Sequence, residues 1–247
     1  MLKRNQESWS NCSTNQLYSE KAIRIWNSTK TGNNGLKTSP DNKVYKGNSP
    51  LNSYSELNLI AESKKSLRKT VISKRTALSD DEVKQSSSLI CGIFTGLPEY
   101  KSAKNIAIYS PVRNEVDTHG LFNKIVHDDK NCFFPKVVNN KLYFHRITDL
   151  KDLETSYAGI PEPANSGDPV SISEIDLFVV PGLCFDLTGS RVGYGKGLYD
   201  KTLEDVSSSK IYAFCYSFQI LNEVPADKHD KKVGHVVNES GIVSFKI

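Results

Sequence analysis

Asp176-Leu177-Phe178-Val179-Val180-Pro181-Gly182 is an apolar run stopped by a turn-forming dipeptide, and Arg191-Val192-Gly193-Tyr194-Gly195-Lys196-Gly197-Leu198-Tyr199-Asp200 follows it eight residues later. The first run has the length and composition of a strand buried on both faces. The second alternates glycines with cations and passes into Leu198 to Val206, which has helical spacing. Strand, glycine-rich turn and helix, in that order, are the unit from which parallel α/β sheets are built.

The same alternation extends in both directions from this unit. Toward the N-terminus, Leu57, Ile60, Leu67, Val71 and Leu78 fall on one helical stripe, with Lys64, Lys65, Arg68, Lys69, Lys74 and Arg75 on the rest of the surface. Ser79-Asp80-Asp81-Glu82 reads as a capping box opening a second helix, with Val83, Leu89, Ile90, Ile93 and Phe94 on its apolar side and Gly96 and Pro98 at its end. Ile106 to Tyr109 and Cys132 to Phe134 read as short strands. Thr118 to Asp128 between them is helical, with Leu121, Phe122, Ile125 and Val126 facing inward. Lys141 to Ile147 alternates and pairs across an Asn139-Asn140 turn. Ile211 to Tyr216 is a further buried strand, and Val236-Val237 and Ile242-Val243 form a last hairpin. The expected fold is therefore α/β: a layered Rossmann-like sandwich with a mostly parallel central sheet, N-terminal helices and a C-terminal hairpin. Ligands of such sheets bind beyond the carboxyl ends of the strands.

Composition narrows the function. The chain has 247 residues, 38% of them hydrophobic, enough for one sizeable core. No apolar run approaches the roughly 20 residues needed to cross a bilayer. Of 32 Lys/Arg and 28 Asp/Glu, residues 1–55 hold eight and three, leaving a nearly neutral 24 and 25 in the remainder. That balance gives no electrostatic case for a nucleic-acid binder. Cys12, Cys91, Cys132, Cys184 and Cys215 are scattered and form no C-x-x-C, the usage of a reducing compartment. Residues 1–55 are polar and turn-rich, and are expected to be a disordered or loosely attached extension before a catalytic domain over 56–247. Being basic, Ser-rich and acid-poor, the extension suits either a mitochondrial targeting segment or a plain extension.

The Arg191–Asp200 run has the chemistry of a phosphate cradle. Glycines let backbone approach a ligand and adopt positive φ. Successive N–H groups form an anion-binding concavity at the start of a helix. Arg191 offers a planar fork and Lys196 a point charge. Asp200, beside bound phosphates, suits Mg²⁺. Neither a Walker A loop nor a dinucleotide fingerprint fits: Gly197 follows Gly195-Lys196, and the spacing is G-x-G-x-G. The bland alternative is a flexible loop with solvated charges.

The run R-x-G-x-G-K-G-x-Y-D after a strand ending in Pro-Gly resembles the 5-formyltetrahydrofolate cyclo-ligase family, also called 5,10-methenyltetrahydrofolate synthetase. Lys64-Lys65-Ser66-Leu67-Arg68, Tyr109-Ser110-Pro111, Glu115-Val116-Asp117-Thr118, Phe134-Pro135-Lys136, Tyr157 to Pro163, and Val224-Pro225 with Asp230 extend the resemblance over about residues 58 to 245. Leu198 stands where many members carry a second Tyr, and Gly234 where an Asp often follows Val. Residues 1–55 have no counterpart in the shortest members.

The resemblance implies an ATP- and Mg²⁺-dependent ligase. ATP phosphorylates the formyl oxygen of 5-formyltetrahydrofolate, N10 closes the ring, and phosphate leaves. It assigns catalysis to Arg191 and Lys196. ATP would be bound by Lys64, Lys65, Ser66, Leu67 and Arg68, with Lys64 and Arg68 reaching the phosphates, and by Arg191, Val192, Gly193, Tyr194, Gly195, Lys196, Gly197, Leu198 and Tyr199. The folate would lie against Arg68, Ser110, Glu115, Tyr157, Tyr194, Gly195, Lys196, Gly197 and Leu198, with Ile160 beside the ring. Asp200 and Asp230 would be linked to Mg²⁺. Read without the resemblance, Lys64 and Arg68 are surface charges, Tyr157 is as well placed in a core, Phe185 is ambiguous, and Asp230 sits in a solvated loop. The partners implied are ATP and reduced folate, including polyglutamylated forms, with no nucleic acid and no membrane. The chain is expected to act as a monomer in the cytoplasm or mitochondrion. A non-catalytic nucleotide- or folate-binding protein is the other class open, with a sugar-phosphate isomerase or acyltransferase of similar topology behind it.

Overall fold

Helix α1 spans Leu51–Thr76 in a computed structural model that describes residues 51–156, 159–164 and 167–245, with side chains from Ile60 onward. The chain divides into two compact units, Met1–Leu67 and Arg68–Ile247. Of the first, the described part is the opening of α1, and the proposed extension lies outside the described residues as far as residue 50.

The second unit begins within α1 and continues into α2, Asp80–Thr95, whose start is the expected capping box. Ser79 accepts from the Glu82 amide, and Glu82 accepts from the Ser79 amide at 2.8 Å. These two bonds satisfy helix-end donors that would otherwise have no partner. α3 is the short turn Pro98–Ser102, with Pro at its first position, where no intrahelical N–H is needed. β1, Asn105–Ala107, is followed by α4, His119–His127, then β2, Asn131–Val138, and β3, Lys141–Arg146. β4, Leu153–Thr155, and β5, Pro161–Pro163, form a small antiparallel pair. β6, Leu177–Val180, leads into β7, Cys184–Asp186, and β8, Arg191–Val192. α5, Leu198–Thr202, precedes β9, Ile211–Phe214, and β10, Ile220–Leu221. β11, His235–Asn238, and β12, Gly241–Ser244, close the chain as the expected hairpin.

Among the described residues, seven strands form the main sheet in the order β12-β11-β9-β6-β1-β2-β3. The five central strands are parallel; β12 and β3 join antiparallel at the edges. Strand alternation sorts the core into two clusters. Ile106, Ile108, Cys132, Phe134, Leu177, Val179, Tyr212, Phe214 and Val237 pack with Ile90, Phe94, Leu121 and Ile125 from α2 and α4. Ala107, Phe133, Phe178, Val180, Ile211, Ala213 and Val236, the alternate positions, pack with Leu203, Val206 and Phe185. Successive side chains point to opposite faces of a strand, so a sheet covered on both sides reads as an unbroken apolar run. Phe94 anchors the first cluster, with Tyr100, Tyr212 and Phe214 edge-on at 5.5, 5.2 and 5.3 Å.

Several expectations are corrected. Val126 is exposed, because Leu121, Phe122 and Ile125 take the inward arc of the short α4 and Val126 falls beyond it. Leu89 is exposed, because Ile90 and Phe94 define the buried side of α2. The helix from Leu198 ends at Thr202 instead of Val206, and the residues after it run into a three-serine stretch that favours turns over helix. Arg75 does not lie on a solvated face; its side chain is 1% exposed. The segment after Pro181-Gly182 is an additional small sheet instead of open loop, with β7 between β8 and β10.

The order in which strands are added across the sheet reverses at β1. The strands run β1, β2, β3 one way, and the chain then crosses to β6 on the other flank of β1 and continues outward through β9 and β11. The carboxyl ends of β1 and β6 meet at that switch, where sheets of this class leave a crevice.

Candidate functional site at the switch point

The loop after β1 delivers Ser110 to Glu115. Arg113 and Asn114 both have positive φ, 52° and 54°, a conformation disfavoured by a Cβ. The turn is held from within by the Val112 amide, which donates to Glu115 Oε2 at 3.0 Å, and from α1 by Arg75, whose Nε donates to the Arg113 carbonyl at 2.9 Å. Glu115 is buried, and burial pushes its carboxyl above the ordinary carboxylate range. Arg75, then the Tyr194 phenol, the Val112 amide and Arg113 act in the opposite direction. Among the described residues, Ser110 Oγ is one of the few buried side-chain polar atoms without a hydrogen-bond partner. Such an atom is costly unless something satisfies it.

The loop after β6 is built from β7 and β8. Asp186 turns the chain between them, its Oδ1 accepting from the Thr188 amide at 2.8 Å and the Ser190 amide at 3.0 Å, with Gly189 in the left-handed region. Its Oδ2 accepts from the Val224 amide at 3.1 Å and so anchors the Val224-Pro225 segment. Gln219 donates to the carbonyls of Gly182 and Leu183 at 3.0 and 2.8 Å. A Cβ at Gly182 would meet the Phe185 ring at 2.3 Å, so the strand can turn into β7 only with glycine there.

On this base stands the glycine run. Arg191 is buried and gives Nη2 to Asp200 Oδ1 at 2.7 Å and Nη1 to the Pro181 carbonyl at 3.3 Å. It also lies over the Tyr199 ring, 5.7 Å from its centroid. Gly195 and Gly197 have φ of +101° and +62°, and Gly197 is the N-cap of α5. Arg68 donates from Nε to the Gly193 carbonyl at 2.8 Å and lies against Gly195, where a Cβ would meet its guanidinium at 3.3 Å. Lys196 is exposed and makes no hydrogen bond or ion pair among the described residues.

Tyr194 joins the two loops. Its phenol accepts from Arg75 Nη2 and donates to Glu115 Oε1 at 2.8 Å. Burial pushes the phenol up to about 12, so at neutral pH it carries the proton that this second bond requires. The Arg75 and Arg113 guanidinium carbons lie 5.8 and 5.7 Å from the Tyr194 ring centroid. Cations near an aromatic ring are attracted by its quadrupole.

Arg68, Gly193 to Gly197, Arg191, Asp200, Tyr194 and Glu115 thus form two connected groups. Val192 is buried in β8, while Leu198 and Tyr199 pack against the second core cluster. Lys64, Lys65, Ser66 and Leu67 belong to the first unit. Within it Lys64 and Leu67 are half-buried, and Lys65 and Ser66 are exposed. Tyr157 lies outside the described residues, and Ile160 is half-buried. Asp230 Oδ2 accepts from the Asp227 amide at 2.6 Å, and the next residue, Lys231, gives its amide to Asp200 Oδ1 at 3.2 Å, which ties the Asp230 segment to Asp200. Among the described residues no group of three or more His, Cys, Asp or Glu could hold a metal. That donor set cannot cage an ion alone, but it fits Mg²⁺, which usually takes one or two carboxylates and completes its shell with phosphate and water.

Reading the sequence missed Arg75, Arg113, Asp186 and Gln219. Arg75 had a signal: Lys64, Arg68, Val71 and Arg75 share one helical stripe, and a cation in line with a buried Val is not on the solvent side. Asp186 had one too, in the Asp-x-Thr-Gly-Ser turn spacing.

The fold and site define an α/β protein with a basic glycine loop and a buried carboxylate facing each other across a topological switch. Residues 60–239 match the 5-formyltetrahydrofolate cyclo-ligase family. The 5-formyltetrahydrofolate cyclo-ligase of Mus musculus is 30% identical over 199 residues, covering 75% of this chain and 98% of that protein. The mitochondrial 5-formyltetrahydrofolate cyclo-ligase of Arabidopsis thaliana is 31% identical over 216 residues, covering 76% and 78%. Among solved structures, 5,10-methenyltetrahydrofolate synthetase of Aquifex aeolicus superposes with a TM-score of 0.67 at 35% identity, covering 74% of this chain and 93% of that one. The synthetase of Mycoplasma pneumoniae superposes with a TM-score of 0.58 at 26% identity, covering 71% and 98%. The chain belongs to the 5-formyltetrahydrofolate cyclo-ligase family. It is an enzyme, and its class is that of the ligases.

Proposed function

We propose that the chain converts 5-formyltetrahydrofolate and ATP into 5,10-methenyltetrahydrofolate, ADP and phosphate. The observation that carries this reading is the Tyr194–Glu115 bond, which brings a phosphate-type loop and a buried carboxylate to one crevice. The formyl oxygen attacks the γ-phosphorus and the bond to ADP breaks. N10 then attacks the activated carbon, the carbon–oxygen bond breaks, phosphate departs, and N10 loses its proton. A formamide is a poor electrophile with a poor leaving group, and phosphorylation corrects both faults. The protein's work is therefore orientation and charge neutralisation.

In this scheme the loop amides from Gly193 to Gly197 face the phosphates, Lys196 neutralises the transferring group, and Arg68 and Arg191 shape the loop and add positive charge. The resemblance would add Lys64 to the residues that bind ATP. Glu115 accepts from N–H groups of the pterin, Ser110 lines its pocket, and Tyr157 flanks the ring. Asp200 and Asp230 would hold Mg²⁺, which would supply charge neutralisation at the phosphates. The family resemblance and the activities for which the relatives are named support this scheme, as does the burial of Glu115 and Arg191.

The same reading makes residues 1–55 an extension of the catalytic region, the active form a monomer, and the compartment cytoplasmic or mitochondrial. Among the described residues no helix is long and apolar enough to cross a membrane.

The test is purified protein with 5-formyltetrahydrofolate, ATP and Mg²⁺, following the absorbance of the conjugated methenyl product and ADP release together. Equal rates of both support the reading. Folate binding without product would favour a non-catalytic binding protein instead.

A further inference from the structure

We infer that Arg75 is a positioning residue which holds the folate-side loop and its Glu115 carboxylate in place, with Tyr194 bracing that carboxylate from the glycine run. This rests on the proposed reaction, in which Glu115 meets the folate. Nothing in the sequence motifs assigns Arg75 a role, yet its guanidinium is divided among three pieces of the site. Nε donates to the Arg113 carbonyl at 2.9 Å, Nη2 to the Tyr194 phenol, and Nη1 lies 3.5 Å from Glu115 Oε1. Arg75 and Glu115 side chains are 1% and 4% exposed, so water cannot replace either partner.

The second observation is the shape of the loop. Arg113 and Asn114 are consecutive non-glycine residues at positive φ, and such conformations persist only where surrounding contacts over-determine them. Those contacts come from α1 and its end: Arg75 on the Arg113 carbonyl, and the Leu78 carbonyl accepting from Asn114 Nδ2 at 3.0 Å. A planar fork holds a carbonyl, a phenol and a carboxylate from three separate nitrogens in fixed directions; an ammonium has three donors on one nitrogen and cannot span the same spread. Arg75 therefore acts on substrate only through Glu115 and Tyr194.

Charge gives the inference a second readout. The groups facing Glu115 are Arg75 on α1, Arg113 and the Val112 amide on its own loop, Tyr194 from the glycine run, Tyr109 after β1, Tyr216 after β9 and Tyr199 on α5. Arg75 is the strongest of those that keep the carboxyl ionised against burial. Without it, Glu115 takes up a proton at higher pH and loses an acceptor for the pterin.

The experiment compares wild type, Arg75→Lys and Arg75→Met, with separate KM values for 5-formyltetrahydrofolate and ATP from pH 6 to 9. Arg75→Met is expected to lower kcat/KM for the folate by about 100-fold, the cost of misplacing a positioning group. KM for ATP should change by less than about threefold, and the folate defect should deepen as pH falls. Arg75→Lys, which keeps charge but not the fork, should recover part of the loss and flatten the pH dependence. Equal losses for both substrates, or a folate KM within about twofold of wild type in a folded variant, would overturn the inference. If Arg75→Met does not fold, Arg75→Lys decides, since wild-type folate kinetics in it have the same consequence. Wild type that binds folate but forms no product refutes the reaction alone. Folate affinity by calorimetry across the variants then tests Arg75 independently.

Discussion

Arg191 and Asp200 meet at 2.7 Å, with side chains 5% and 23% exposed, so the first cation of the glycine run is paired to the carboxylate that ends it. The pair closes the turn into a ring, leaving Lys196 at its rim as the exposed cation. Arg191 thus shapes the glycine loop while its charge still contributes to the local field. Asp200 Oδ1 is taken by Arg191 and the Lys231 amide, and Oδ2 accepts no hydrogen bond among the described residues.

Lys196→Ala is expected to cut kcat by about 100- to 1,000-fold, the range for losing one charge-stabilising donor. Because the side chain is exposed and unpaired among the described residues, the melting temperature should not move. A methenyl-product assay beside a thermal melt checks both halves, and near-normal turnover would remove Lys196 from the mechanism.

Asp200→Asn should both destabilise the chain and alter its response to magnesium. Losing the partner of a mostly buried guanidinium should cost about 2 kcal/mol, reduced from the fully buried case by the partial exposure of Asp200. Urea midpoints measure this cost. The Mg²⁺ concentration for half-maximal rate should rise; an unchanged value, with stability lost, would make Asp200 purely structural.

Gly234→Ala should destabilise by about 3 kcal/mol or more, because the new Cβ would sit 2.1 Å from the Ser208 carbonyl oxygen, and backbone cannot yield as a side chain can. The Gly234 amide also donates to the Ile211 carbonyl at 3.1 Å, so the contact lies at the entry to β9 and β11. Chemical denaturation of the variant is the measurement. An aspartate here, as often follows Val elsewhere in the family, would require a different path past Ser208.

The thiols of Cys91 and Cys184 are pushed up to about 12, chiefly by burial, and those of Cys132 and Cys215 are raised by the same cause. In a Cys12→Ser background the native protein should therefore react negligibly with a disulfide reagent at pH 8, where all four remain protonated. Four thiols should appear on denaturation. A fast-reacting thiol in the folded protein would show that a buried site opens readily.

Local rules were enough for much of the fold. The Ser79–Glu82 box, the apolar runs at Leu177–Val180 and Ile211–Phe214 and the Asn139-Asn140 turn read correctly, because each depends on neighbours within a few residues. Where local rules failed, the failures concerned which side of an element faces inward, how far the helix from Leu198 runs, and the short strands after Pro181-Gly182. Val126 and Leu89 have helix-compatible spacing, but a short helix presents a narrow buried arc, and packing chooses which residues occupy it. The β7–β8 turn was hidden because strands of three and two residues are too short for periodicity to register.

By itself the sequence determined the alternation of strands and helices, the glycine run with Arg191, Lys196 and Asp200 in reach of one another, and through these the family. The first two are set by spacing along the chain, and the family rests on the resemblance those residues carry. Only the tertiary structure decided that Arg75 is buried, that Tyr194 bonds Glu115 from 79 residues away, and that Gly234 must lack a side chain. Burial and pairing of a polar group depend on what arrives from distant segments, and the sheet's reversal at β1 brings those segments together.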